Sequence, residues 1–231
     1  MKKLLIFLFI SFSLSAQNKD PYKILDAVKE NFNTIKDYEV DATITVDVNF
    51  LRVPESKAKI YFKQPDKLKL DSEGFALLPK EGINFSPNKL LSGDFSAIYI
   101  KADTLQKHKV DIVKVIPTND SAGVILTTLW IDSNLSVVRK METTTKKNGT
   151  FEIKLNYDNS GNNFLPSIVM LMFNVNDIQI PKAISGEINN DGSSDNKKKK
   201  DEPMIGTVTI KYSNYKINKG IKDSFFEKEK R

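Results

Sequence analysis

The sequence predicts an α+β chain that is mainly β, with about ten strands of one curved antiparallel sheet following a single helix. Three observations carry this. Residues 38–51 alternate strictly, with Val40, Ala42, Ile44, Val46, Val48 and Phe50 facing one way and Glu39, Asp41, Thr43, Thr45, Asp47 and Asn49 the other. Segments of the same kind recur to the end of the chain, divided by turn signals, with almost no βαβ rhythm. Only one convincing stretch repeats at helical spacing.

The first residues are set apart from that pattern. Lys2 and Lys3 lead into the apolar run Leu4 to Ile10, and the small residues Ser11, Ser13, Ser15 and Ala16 follow. A basic start, a short apolar core and a small-residue exit predict a secretory signal peptide over 1–16, cut after Ala16. The run is far shorter than the roughly 20 apolar residues that span a bilayer. A bacterial lipoprotein carries its acylated cysteine just after such a signal, and this chain has no cysteine. The mature chain, 17–231, is therefore expected to be one exported, soluble, unlipidated domain.

Its helix comes next. Asp20 is placed to cap it and Pro21 fits the first helical position, where a missing N–H costs nothing. Ile24, Leu25, Val28, Phe32 and Ile35 then form one apolar stripe that needs a surface to lie against.

Strands fill the remainder. The alternation of 38–51 is long for a strand and predicts a sheet that curls. Ala58, Ile60 and Phe62 oppose Lys57, Lys59 and Lys63; Leu68 and Leu70 oppose Lys67, Lys69 and Asp71. Further strands are predicted over 96–101, 109–116, 124–132, 137–144, 150–157, 166–175 and 206–215. A large antiparallel sheet with one apolar face must close on itself or be capped.

Two stretches break the rhythm. Residues 186–203 are Asn, Asp, Gly, Ser and Lys with scarcely a hydrophobe, and predict a disordered loop between two strands. Residues 74–95 carry the loop punctuation Gly74, Pro79, Gly82, Pro87 and Gly93 yet are rich in Phe75, Leu77, Leu78, Ile83, Phe85, Leu90 and Leu91. Loops are ordinarily polar, because their backbone needs water. An apolar irregular segment in a sheet protein is either a plug in the core or a lid over a cavity.

Charge and motif content argue against catalysis and nucleic acid. The formal charge is +6, and Lys2 and Lys3 belong to the signal. The rest is spread as alternating lysines, with one dense run at Lys197 to Lys200 and few arginines, whereas a nucleic-acid surface clusters Arg and Lys with aromatics. Ser86 and Lys89 have the Ser-x-x-Lys spacing of penicillin-binding enzymes and Ser194-Asp195-Asn196 matches their second element, but Lys-Thr-Gly is missing and the scaffold is wrong. Glu187, Asn189, Asp191 and Gly192 mimic the start of a calcium loop whose twelfth position is Lys198 instead of a carboxylate. His108 is the single histidine, so zinc sites and histidine triads have no ligand set. No enzyme, metal or cofactor is expected.

The order of parts carries a resemblance. One amphipathic helix, a long first strand and the run Ile60-Tyr-Phe-Lys-Gln-Pro-Asp-Lys-Leu-Lys-Leu70 resemble the LolA-type outer-membrane lipoprotein carriers, as do the paired strands containing Trp130-Ile-Asp, Val137-Val-Arg-Lys and Gly149-Thr-Phe-Glu-Ile-Lys-Leu-Asn-Tyr157. The similarity spans most of the mature chain and is one of pattern. It implies an incomplete antiparallel barrel whose concave apolar face is covered by helix and lid, in a periplasmic monomer. That cavity would shelter the acyl chains of lipoproteins or other lipids between inner- and outer-membrane machinery.

Burying an acyl chain is worth about 0.8 kcal/mol per CH₂, so such a carrier needs wide apolar walls and few fixed charges. Val40, Ile44, Val46, Phe62, Leu68 and Leu70 are the expected walls, and Phe75, Leu77, Leu78 and Phe85 the expected lid. The same wall residues equally describe a dry core. In the family an arginine before the proline ties the lid shut; Gln64 stands at that gate position here. This departure, with the 186–203 insertion, leaves a second reading: an envelope sensor of the same fold that binds and regulates a membrane-protein partner.

Overall fold

The computed structural model describes residues 19–48, 51–52, 54–72, 91–118, 123–147, 149–158, 164–174 and 205–227. The expected signal peptide, Phe75, Leu77, Leu78 and Phe85 of the expected lid, and the 186–203 insertion lie outside them.

One helix, α1 (Pro21–Asn33), precedes the strands. The Asp20 carboxylate accepts the Tyr22 N–H at 2.9 Å, satisfying one of the amides that a helix start leaves open. The chain then runs through β1 (Asp37–Val48), β2 (Leu51–Arg52), β3 (Ser56–Lys63) and β4 (Lys67–Ser72). After the undescribed 73–90 come β5 (Phe95–Leu105), β6 (His108–Pro117), β7 (Val124–Asp132), β8 (Val138–Thr145) and β9 (Thr150–Asn156). Next are β10 (Ile168–Asn174) and β11 (Ile205–Ile217), and a 3-10 turn over Asp223–Phe226 follows.

All strand pairs are antiparallel, in one sheet of order β4-β3-β1-β11-β10-β9-β8-β7-β6-β5, with β2 paired to β1 alone. The ends of that order, β4 and β5, do not pair with each other, so the sheet is unclosed. The expected first strand is cut short: the chain turns back after Val48, and Leu51 and Arg52 pair with Val48 and Asp47.

Curvature has local causes. β-bulges raise strand twist, and register shifts occur between Glu39 and Asp41 on β1, Tyr99 and Lys101 on β5, and Val124 and Leu126 on β7. The Leu105–His108 hairpin turns on Gln106 and Lys107, both at positive φ (49° and 70°), the handedness that matches strand twist.

The apolar face points inward. Val40, Ile44 and Ile60 from one end of the sheet share one buried cluster with Val113 and Leu129 from the other and with Leu25 and Val28 of α1. A period-2 sheet thus wraps around a period-3.6 helix, each burying the stripe the other exposes.

Candidate functional site

The concave face is occupied by α1, and polar contacts fix that helix at both ends. At its N-terminal end, the Lys19 ammonium lies 2.8 Å from the buried Asp111 carboxylate, which also accepts from Ser133 Oγ at 3.0 Å and Tyr99 Oη at 3.3 Å. Tyr22 stacks on Phe95 and its hydroxyl accepts the Ala97 N–H at 3.3 Å, giving a partner to that amide of the edge strand β5.

At the C-terminal end, Asn31 Nδ2 donates to the carbonyls of Leu135 (2.8 Å) and Ser136 (3.3 Å). Gln64 Nε2 donates to the carbonyls of Ile35 (2.7 Å) and Phe32 (3.2 Å). The expected gate residue is therefore bonded at the helix end, adding a side-chain donor to the Phe32 carbonyl, which also accepts the Ile35 N–H at 3.0 Å.

The six expected wall residues all lie on the concave side. Val40 and Ile44 are buried in the main core, and Val46, Leu68 and Leu70 are half-buried against it. Phe62 belongs to a second cluster with Phe32, Ile35 and Leu165 at the helix C-terminus. They pack in the two clusters to which α1 contributes Leu25, Val28 and Phe32. Leu91, from the end of the apolar 74–95 stretch, is buried in the same main core.

A cavity of about 40 Å³ opens beneath the C-terminal half of α1, walled by Val28, Phe32, Leu155 and Val169 among others. None of the six expected wall residues lines it. Four tyrosines, Tyr38, Tyr157, Tyr212 and Tyr215, which the sequence reading did not single out, join Asn31 and Ser136 in its polar lining. Their signal was present: Tyr38 is in phase with Val40 and Ala42, and Tyr212 with Val208 and Ile210, so phenols stand at inward positions of apolar strands. Tyr157 Oη donates to the Val138 carbonyl at 2.9 Å and Tyr215 Oη to the Pro166 carbonyl at 2.8 Å. Burial pushes all four phenols well above their ordinary range, and for Tyr212 and Tyr215 the neighbouring phenols add to it. All four are neutral donors at physiological pH.

A second buried polar group braces the wall behind them. Arg139 Nε lies 2.6 Å from Asp132 Oδ2, and both residues are buried. The other oxygen of Asp132 accepts from the amides of Asn134 (2.9 Å) and Leu135 (3.0 Å), fixing the β7–β8 turn that receives Asn31. The Arg139 guanidinium carbon lies 5.8 Å from the Tyr157 ring centroid.

No family model matches the chain, and no curated protein matches it. Solved structures do. A domain assigned to outer membrane lipoprotein sorting, from Vibrio parahaemolyticus, superposes with a TM-score of 0.59 at 10% identity, covering 90% of this chain and 97% of that one. A DUF1329 family protein from Desulfovibrio piger gives 0.56 at 13% identity, covering 90% and 98%. A LolA superfamily protein from Nitrosomonas europaea gives 0.53 at 11% identity, covering 91% and 98%. The chain has the LolA-type fold, an unclosed curved antiparallel sheet around an N-terminal helix, as the sequence resemblance implied.

Proposed function

We propose that this protein is a periplasmic carrier that shields the acyl chains of lipoproteins or other lipids on the concave face of its sheet. The observation that carries the reading is that face itself: a continuous apolar surface from β3 to β7, covered by one helix whose cover is exchangeable in energy. Displacing Leu25, Val28 and Phe32 from the sheet costs about 1.5–3 kcal/mol for each side chain. An acyl chain returns about 0.8 kcal/mol per CH₂, so roughly six to eleven methylenes replace what the helix supplied. Val40, Ile44, Val46, Phe62, Leu68 and Leu70 are the surface that such a chain would meet. The polar ties at the helix ends, Lys19–Asp111 and Gln64–Ile35, set how firmly the cover is held. Among the described residues no helix is long and apolar enough to cross a membrane, which suits an exported carrier.

The test is direct. Protein purified from the native envelope, with its N-terminus sequenced for cleavage after Ala16, is extracted and analysed by mass spectrometry, and the delipidated protein is titrated with a fluorescent acyl probe. Acyl lipids in the extract and saturable probe binding are expected. A lipid-free monomer that refuses the probe overturns the carrier reading. Retention of one stoichiometric protein partner in its place would favour the regulatory alternative.

A further inference from the structure

The four tyrosines of the cavity divide into two pairs. Tyr157 and Tyr215 have spent their hydroxyl protons on the carbonyls of Val138 and Pro166. Tyr38 and Tyr212 have no hydrogen-bond partner among the described residues, although both line the same cavity. Ring contacts hold the group together: Tyr38 packs edge-on to Tyr215 with centroids 5.7 Å apart, Tyr212 lies 5.9 Å from Tyr215, and Tyr38 stacks on Phe62 at 5.1 Å. Both residues are half-buried, and a phenol donor held on an apolar strand face without a protein partner carries a cost that a phenylalanine in either place would not.

From this geometry we infer that Tyr38 and Tyr212 form a two-donor subsite for a neutral acyl carbonyl, the ester or amide oxygen at the head of a lipid chain. The inference rests on the carrier reading and adds to it where the polar end of the cargo sits: beneath the C-terminal half of α1, with the hydrocarbon running out over the sheet. Three features select the neutral carbonyl over a carboxylate or phosphate. The lining carries no charged side chain, so an anion would be stripped of water without a countercharge to repay it. The nearby cation, Arg139, is already engaged with Asp132 at 2.6 Å. The cavity, about 40 Å³, takes a few atoms and not a phosphate headgroup with its water. Two phenol hydroxyls supply two donors, matching the two lone pairs of a carbonyl oxygen.

The experiment compares two phospholipids with identical chains and headgroup, one a diester and the other a diether without carbonyls, as competitors of a bound fluorescent acyl probe on the full mature protein. The wild-type protein is expected to prefer the diester by about 4- to 100-fold, the product of roughly 2- to 10-fold for each donor. The double variant Tyr38→Phe/Tyr212→Phe keeps the rings, melts at or above the wild-type temperature, and loses the preference while its diether affinity stays unchanged. Tyr212→Phe alone retains part of it. Tyr215→Phe breaks a structural bond to Pro166; it lowers the melting temperature and leaves the preference in place. Equal wild-type affinity for the two lipids, or a preference that survives in the double variant, overturns the subsite and leaves the carrier reading standing. Failure of the wild-type protein to bind either lipid overturns both.

Discussion

Gln64 donates its side-chain amide to the carbonyl of Ile35 at 2.7 Å, joining the residue after β3 to the segment just past the helix that covers the concave face. The same amide reaches the Phe32 carbonyl at 3.2 Å, and the Gln64 backbone N–H donates to Lys36 at 2.9 Å. Replacing Gln64 by Ala removes the two side-chain bonds and keeps the third. The expected loss is about 1–3 kcal/mol, read as a lower urea midpoint with an unchanged m-value. If α1 is the movable cover, the variant also takes up an acyl probe faster. A stability loss without faster uptake would mean that the helix end stays closed during binding.

Asp111 makes the corresponding tie at the other end of α1, accepting from Lys19, Tyr99 and Ser133. Lys19 is partly exposed, which weakens its share through solvent screening. Asp111→Ala is expected to cost about 1–3 kcal/mol, most of it from the two part-buried hydroxyl bonds to the buried carboxylate. Hydrogen exchange should quicken in the first turns of α1 and leave β8–β11 protected. Uniform quickening would instead mark Asp111 as part of the global core.

Asp132 makes stability depend on acid. Burial by itself raises its carboxyl, but the Arg139 guanidinium and the amides of Leu135 and Asn134 outweigh burial and hold it below the usual carboxylate range. His108 Nδ1, 3.5 Å from Asp132 Oδ2, also faces it. A carboxyl depressed in the folded state binds its proton more readily when unfolded. Its contribution is therefore complete above the unfolded value of about 3.9 and is lost as pH falls through the folded one. Melting curves should be flat on this account down to about pH 4 and fall below it. Asp132→Asn should be less stable at neutral pH and lose part of that acid slope. An unchanged slope would assign it to the exposed carboxylates.

Gly220 tests the C-terminal return. Its φ is +79°, and a Cβ added there meets nothing within 4 Å, so the cost of Gly220→Ala is backbone strain alone, about 1–2 kcal/mol. The Gly220 N–H donates to the buried Asp37 carboxylate at 3.0 Å, beside the Lys219 N–H at 2.8 Å. That anchors the segment whose Asp223 carboxylate pairs with Lys67 at 3.0 Å and with Lys63 on the outer face. Thermal melts measure the change, and a loss above about 3 kcal/mol would require steric contacts that the geometry lacks.

Much of the architecture was readable in the chain because it depends on local period. Alternation assigned Val40, Ile44, Ile60 and Leu70 to the inward face, and the 3.6-residue spacing of Leu25, Val28 and Phe32 predicted the helix that covers them. Asp20 and Pro21 marked its start, and the observed helix begins there. The reversal after Val48 was not readable, since the alternation in the sequence runs on to Phe50 while Leu51 already pairs backward with Val48 on β1.

What the sequence by itself determined is therefore which residues form strands, which side of each strand is dry, and where one helix starts, because steric and hydrophobic preferences over a few neighbours settle these. Only the tertiary structure decided that β1 lies between β3 and β11 and that the carbonyl groups just past the end of α1 meet Gln64. Tyr38 and Tyr212, 174 positions apart in the chain, share a cavity for the same reason: β1 and β11 pair with Ala42 opposite Tyr212, and the bulge after Glu39 sets the register of Tyr38 against Ile217. Period tells a residue which way to face. Pairing across the sheet, chosen by the burial of every strand together, tells it whom to meet.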